Sequence, residues 1–493
     1  MIELTFIISA LFAVIFYFFV RYRQTYWKRQ KIPYVKPKFF FGNTKEVDTE
    51  IHHTVFWRNI YQELKPQGPV GGFYNYLDPV AIITDLDLLK QIMIKDFTYF
   101  TDRGNYHNIT QDPVSGHLIN LEGEDWKFMR SKLSPGFSTG KLKLMLPIID
   151  RQIEILINVM ENKMNSTGQF EVRDIMARYL SDILGITAFG IECNSLTDED
   201  SEFHKMAIHS LATTRYKKKT LLESNRSLCQ KLGIINTEKT SLKFYSDVVD
   251  GILHYRRTSN VERNDILGLM LNSKDTSRVI TRDEILAQAA VFLVGGHETQ
   301  LAALSYTLYE LAIHKDYQQR ARDEVEEVFN KNNGKLTYEA LGEMKYVEQC
   351  INEGLRKYFI SFSAKRETRK DYKIPNTDMV LKKGTLFQVP IYAIHNDPDY
   401  YPNPDVYNPD RFSPEETAKR HSFSFIPFGE GPRTCIGKRF AQTVTKSTIA
   451  KILYNFELSV DRTKTSIPLK INPEILFVTP MDGIYVNLKK LER

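Results

Sequence analysis

The chain has 493 residues, of which 42% are hydrophobic and 12% aromatic, far too much apolar material for a disordered chain. Its net charge of +6 is a mild basic excess spread along the sequence. That excess suits an acidic protein partner or an anionic membrane surface, and no nucleic-acid-binding motif accompanies it. Four widely separated cysteines, Cys193, Cys229, Cys350 and Cys435, include no C-x-x-C pair. They suggest neither a disulfide framework nor a four-ligand zinc site, and they suit a reducing, cytosol-facing compartment.

Leu4 to Val20 carries no charge and only Thr5 and Ser9 as plainly polar residues. The run is at the short end of what a spanning helix needs. A cleaved signal peptide or a buried core helix are the alternatives. However, Glu3 precedes the run and Arg21, Arg23, Lys28, Arg29 and Lys31 come after it, which favours a retained anchor with the rest of the chain in the cytosol. Residues 1–20 are therefore expected to be a transmembrane anchor. Residues 21–45, with Pro33 and Pro37, are expected to be a basic, stiff hinge. No linker, repeat or low-complexity break divides the remainder of the chain, so 46–493 reads as one large domain.

Val70 to Thr84 predicts two short strands with a turn at Asp78-Pro79. From about Asp87 to Cys350 the pattern is mostly helical, with a capping box at Thr281 to Glu284 before an apolar run from Ile285 to Val294. Within that run's continuation, Gly295 and Gly296 each cost about 1 kcal/mol relative to alanine, so something must compensate them. Glu353-Gly-Leu-Arg356 places a carboxylate and a guanidinium at i, i+3, a weak signal alone. Strand-like pieces such as Thr385 to Pro390 then lie between proline-rich loops. A last helix comes after Gly437, and the tail from Ile475 to Leu488 again looks like strands. The fold expected is mainly α with small β-sheets near both ends.

Phe428-Gly-Glu-Gly-Pro-Arg-Thr-Cys-Ile-Gly437 is the string that carries chemistry. Gly429, Gly431 and Gly437 let backbone approach a bulky flat ligand and adopt positive φ. Arg433 can meet a haem propionate, Phe428 can cover the sulfur, and Cys435 can reach iron as a thiolate. Such a ligand pushes electron density onto iron and favours O–O cleavage.

The string resembles the haem-binding loop of the cytochrome P-450 superfamily, F-x-x-G-x-R-x-C-x-G, without a mismatch. The other family motifs occur in the right order along essentially the whole chain. The phrasing is most similar to the insect microsomal group linked to toxin and insecticide metabolism, with Ala188 to Leu196 and Asp371 to Pro375 as supporting strings. The resemblance implies a buried triad of Glu353, Arg356 and the Arg411 of Pro409-Asp-Arg-Phe412. It makes Val294 to Gln300 the helix that crosses the distal face of the haem. Thr299 would there hydrogen-bond the oxygen being activated, and Glu298 would help relay protons. His297 reads as a helix-face residue rather than an iron ligand. Trp126, Arg130 and Arg366 would hold haem propionates.

Two departures stand out. Phe359-Ile360 occupies positions where relatives carry proline, ahead of the substrate-facing Ser361, Phe362 and Ser363. Asp410 also stands where glutamate is common.

The reading is a heme b, Cys435-thiolate monooxygenase of the endoplasmic reticulum membrane with its catalytic domain in the cytosol. Electrons would come from an NADPH–cytochrome P-450 reductase carrying FAD and FMN, with cytochrome b5 as a further partner, because the chain has no dinucleotide fingerprint in a strand–helix setting. Lys127, Lys132, Lys438 and Arg439 would attract an acidic reductase. The candidate pocket walls (Tyr106 to Leu118, Phe203 to Thr214, Val291 to Glu298, Ser361 to Ser363, Ile475 to Val478) are apolar and aromatic without a fixed ionic anchor. They point to a broad lipophilic range, xenobiotics above all, with an endogenous lipid or hormone as the alternative. A redox-independent haem-thiolate isomerase or dehydratase, or a haem carrier, is disfavoured by retention of Glu298-Thr299.

Overall fold

An apolar run with no core to join stands outside the fold: α1 (Ile2–Arg23) exposes nearly all its large hydrophobic side chains and buries only Val20. Its 22 residues rise roughly 33 Å, enough to cross the hydrocarbon layer of a bilayer. The computed structural model of the chain describes residues 2–212, 215–259, 265–271, 278–358 and 364–492.

The segment expected to be a hinge is instead fastened down. Arg23 pairs with Asp78 at 2.6 Å, Trp27 is buried and donates from Nε1 to the Phe73 carbonyl, and Val35 and Pro33 exchange backbone hydrogen bonds with Gly72. A Cβ on Gly72 would lie 2.5 Å from the Trp27 indole, so that glycine is what lets the tryptophan seat. The folded body thus begins ahead of residue 46.

Strands β1 (Val70–Asn75) and β2 (Asp78–Ile83) pair antiparallel, and the turn falls at Tyr76-Leu77 rather than Asp78-Pro79. Pro79 sits opposite Tyr74 and has no N–H to offer it. Asn43 takes over, donating its backbone N–H to the Tyr74 carbonyl and accepting the Tyr74 N–H on its side chain.

The helical body includes α2 (Gly123–Leu133), α3 (Thr139–Thr167), α4 (Val172–Leu184), α5 (Glu202–Ala212), α6 (Tyr216–Ser224), α7 (Lys239–Ser259), α8 (Arg282–Ile313), α9 (Lys345–Lys357) and α10 (Lys438–Asn455) among its helices. A short β3 (Gln169–Glu171), then β4 (Lys365–Glu367), β5 (Leu386–Gln388), β6 (Phe456–Val460) and β7 (Tyr485–Lys490) complete two sheets, ordered β1-β2-β5-β4 and β3-β7-β6. The tail forms a strand only from Tyr485. Leu476, Phe477 and Val478 are buried but lie outside any strand.

Helix α8 is the axis. The expected capping box is present, with Thr281 and Glu284 each satisfying the other's backbone N–H. Every residue from Gln300 to Ala312 is buried, as befits a helix apolar on all sides. It packs on α4, α9 and α10. Contact with α9 is close enough that a Cβ on Gly354 would lie 2.8 Å from the Thr307 hydroxyl.

That contact places the charged triad. Glu353 and Arg356 are fully buried and pair twice, at 2.7 and 2.9 Å. Arg411 approaches Glu353 at 3.4 Å, and Arg356 also donates to the carbonyls of His395 and Pro404. His395 in turn accepts from the Ile426 backbone N–H at 3.1 Å. Burial beside Arg356 holds the His395 imidazole down to about 3, so the ring is neutral and able to accept. Removing one member of a buried ion pair costs about 3–5 kcal/mol. Glu353→Ala is therefore expected to lower the melting temperature and to leave little haem in purified protein. A variant with normal haem content and only a changed product profile would contradict this structural role.

Candidate haem and oxygen-activation site

The loop after Ile426 is shaped by its glycines. Gly429 and Gly431 adopt positive φ, and a Cβ on Gly431 would collide with the Met93 carbonyl at 2.1 Å. Gly437 differs from expectation: its φ is −86°, because it is the residue before the first turn of α10. The loop closes on itself through the Cys435 N–H, which donates to the Phe428 carbonyl at 2.9 Å. Cys435 opens into a cavity of about 610 Å³ rather than onto the outer surface. Burial raises its thiol above the ordinary range, opposed by the Gly437 backbone N–H and the positive charges of Arg103, Arg130 and Lys438. Phe428 lines the same cavity.

Arginines dominate the polar wall of that cavity. Arg103, Arg130, Arg366 and Arg433 all line it with Trp126. Among the described residues, no carboxylate pairs with Arg103, Arg130 or Arg366, and the Nε atoms of Arg103 and Arg366 are buried without any acceptor. Burial and the nearby charges of Arg103 and Arg433 push Arg366 well below its usual range, and burial brings Arg103 down to about 10.

Arg433 is different. Its guanidinium donates to the carbonyls of Thr101, Leu118 and Leu121 and stacks 4.0 Å from the Trp126 ring. It therefore ties the 101–121 segment to the cysteine loop instead of offering free donors. Arg103, not singled out from the sequence, has the donors that Arg433 lacks. The local string Asp102-Arg103-Gly104 has no spacing that marks it. A flat dianion fits this donor set. Haem, with two propionates and an iron within reach of Cys435, would be held by Arg103, Arg130, Arg366 and Cys435.

Helix α8 supplies another wall of the cavity. Gly295 faces open space, whereas a Cβ on Gly296 would press Leu184 at 2.9 Å; the two glycines serve the cavity and the α4 contact respectively. Thr299 lines the cavity and donates from Oγ1 to the Gly295 carbonyl at 2.6 Å. Glu298 does not line it. Its carboxylate is buried and paired with Arg173 of α4. His297 also points to α4, with Nε2 at 3.0 Å from the Ala177 carbonyl, and burial lowers it to about 4. It is a packing residue, not an iron ligand.

The expected pocket segments contribute unevenly. Val114, Leu118, Val291, Val294 and Phe477 are on the wall. Phe359-Ile360 and Ser361 to Ser363 lie outside the described residues, as do Thr213 and Thr214.

A sequence profile of the Cytochrome P-450 family matches residues 32–488. The chain is 38% identical over 489 residues to the probable cytochrome P-450 6a14 of Drosophila melanogaster, covering 95% of this chain and 96% of that protein. It is 37% identical over 488 residues to cytochrome P-450 6A1 of Musca domestica, covering 97% and 96%. It is 38% identical over 496 residues to cytochrome P-450 6a8 of Drosophila melanogaster, covering 97% of each.

The uncompensated arginines make a measurable prediction. Replacing a buried, unpaired cation by an apolar side chain of similar size removes a desolvation penalty. Arg366→Met is expected to raise the melting temperature of the haem-free protein while speeding haem loss from the loaded protein to apomyoglobin. Faster unfolding of the haem-free variant would contradict the assignment.

Proposed function

Since the chain belongs to the cytochrome P-450 family and is a haem-thiolate monooxygenase, we propose that it oxidises lipophilic foreign compounds at the cytosolic face of the endoplasmic reticulum, with electrons from an NADPH-dependent flavoprotein reductase. The observation that carries this reading is the cavity of about 610 Å³ whose wall joins Cys435 and Thr299 to apolar side chains such as Val114, Leu118, Val294 and Phe477. The cavity would be shared between the cofactor and its substrate, and the apolar part of its lining suits a lipophilic molecule.

When bound, haem supplies the iron at which O2 is reduced, with the Cys435 thiolate as the electron-donating ligand. The chain's own part is positional and protonic. Arg103, Arg130 and Arg366 neutralise the cofactor's carboxylates. Gly295 keeps its part of the cavity open, and the apolar walls would exclude water from the substrate. The Thr299 hydroxyl, held by the Gly295 carbonyl, is the proton-bearing group on the distal wall. Glu298 reaches that chemistry only if its pair with Arg173 opens. For the redox partner, exposed Lys127 and Arg439 and half-buried Lys132 and Lys438 would supply a basic docking surface. An acidic patch on a reductase complements it.

Reduced, CO-treated protein is expected to show the absorption band of thiolate-ligated haem, and Cys435→Ala to abolish both that band and NADPH-dependent product. Among plant toxins, insecticides, fatty acids and steroids, several of the first two classes are expected to be turned over. Turnover confined to one endogenous lipid would contradict the xenobiotic reading.

The orientation has its own probe. Of the sequons at Asn108, Asn165 and Asn225, the first is buried and the other two are exposed. With α1 as an anchor and Arg21, Arg23, Lys28, Arg29 and Lys31 on the cytosolic side, Asn165 and Asn225 never meet the glycosylation machinery. Protein from eukaryotic microsomes is expected to run at its unmodified mass; a shift on glycosidase treatment would reverse the topology.

A further inference from the structure

Away from the arginines, a further polar stretch of the cavity wall is built from hydroxyls. Ser241 and Tyr245 lie one turn apart on α7, and both are buried; Ser210 faces them from α5. All three line the cavity. Tyr245 Oη donates to Ser210 Oγ at 2.9 Å, and Ser210 Oγ donates to Ser241 Oγ at 3.0 Å. Burial pushes the Tyr245 phenol up to about 12, so the relay starts from a neutral donor.

Each hydroxyl carries one proton. Two of the three are used within the relay, and the third, on Ser241 Oγ, has no acceptor among the described residues. Hydroxyls linked in series polarise one another, which makes the terminal one a better donor than an isolated serine. Its position is fixed from behind. Asp112, fully buried, accepts from the backbone N–H groups of Asn236 and Thr237 at 3.1 and 2.9 Å, which holds the turn that leads into α7.

Polar side chains such as His117, Asn236, Thr237 and Gln300 also reach the cavity, but Val114, Leu118, Val291, Val294 and Phe477 offer a polar group no partner. An unpaired carbonyl buried there would be penalised. We propose that Ser241, at the end of the Tyr245–Ser210–Ser241 relay, is a specificity-determining donor for an oxygen acceptor carried by an otherwise apolar substrate. A ketone, ester or lactone carbonyl, or an ether oxygen, fits. The inference rests on the monooxygenase reading above and narrows its substrate class from lipophilic molecules to oxygenated ones.

The test compares two rigid ligands of the same shape, androstanone and its parent hydrocarbon androstane. Each is titrated into the haem-loaded, full-length enzyme and tracked by the spectral shift on displacement of water. Ser241→Ala is expected to weaken the ketone by about 5- to 10-fold, the usual worth of one neutral hydrogen bond, and to leave the hydrocarbon within about 2-fold. Ser241→Thr, which keeps the hydroxyl, is expected to retain ketone affinity. Tyr245→Phe should produce a smaller loss in the same direction.

Several outcomes overturn the assignment: no binding of the ketone to the wild type, an unchanged ketone-to-hydrocarbon ratio in Ser241→Ala, or equal loss for both ligands. The band of the reduced, CO-bound protein is read in every sample. Its absence from the wild type sinks the haem-thiolate reading itself, whereas a normal band with an unchanged ratio sinks only the role of Ser241.

Discussion

A carboxylate and a guanidinium with no solvent around them cannot be left half-paired, and the rest of this molecule is arranged to keep Glu353 and Arg356 together. Arg356 has more donors than one carboxylate can use, so it also gathers the carbonyls of His395 and Pro404. Glu353 has spare acceptor capacity and takes the Asn408 N–H and the approach of Arg411. The consequence reaches the cysteine loop through one link, His395 accepting from Ile426, two residues before Phe428. The thiol's position is thus set by an ion pair that never touches the reacting atoms. The same pair is held against α8 by the close approach of Gly354 to Thr307, so the two walls of the cavity share one foundation.

Charge is the second organising term. The molecule gathers cations around the cavity and, among the described residues, leaves three of them without acids, while Glu298, one of two buried acids of α8, has its own arginine in α4. These are opposite solutions to the same desolvation problem. Where no partner is to come, the pair is closed within the protein; where a dianionic group is to bind, the donors are left open. The division also explains why Arg433 can be committed to backbone carbonyls, since its neighbours carry enough positive charge without it.

Features governed by a few neighbouring residues were legible in the sequence. The capping box at Thr281, the helix after Gly437 and the i, i+3 pair of Glu353 and Arg356 are local patterns, and each occupies its expected place. The misreadings are positions where a distant segment decides. The turn moved to Tyr76-Leu77 because Asn43, some thirty residues away, satisfies Tyr74 opposite Pro79. Residues 21–45 look like a hinge until Gly72 admits Trp27. Glu298 and Thr299 are adjacent in sequence, but a helix turns each residue by about 100°, so one faces α4 and the other the cavity. Arg103 carries no motif of its own and is found only when three other arginines are seen around it. The hydroxyls of Ser210, Ser241 and Tyr245 come from two helices and have no joint signature in the chain.

The open arginines tie this enzyme's abundance to the cell's supply of haem. A chain that has folded around a cation-lined hollow, before its dianionic ligand arrives, is its least stable folded form, and ligand binding shifts the folding balance by mass action. Proteases and chaperones act on whatever fraction opens. Cells short of haem would therefore clear the newly made chain, so that the amount of enzyme tracks porphyrin synthesis as well as transcription.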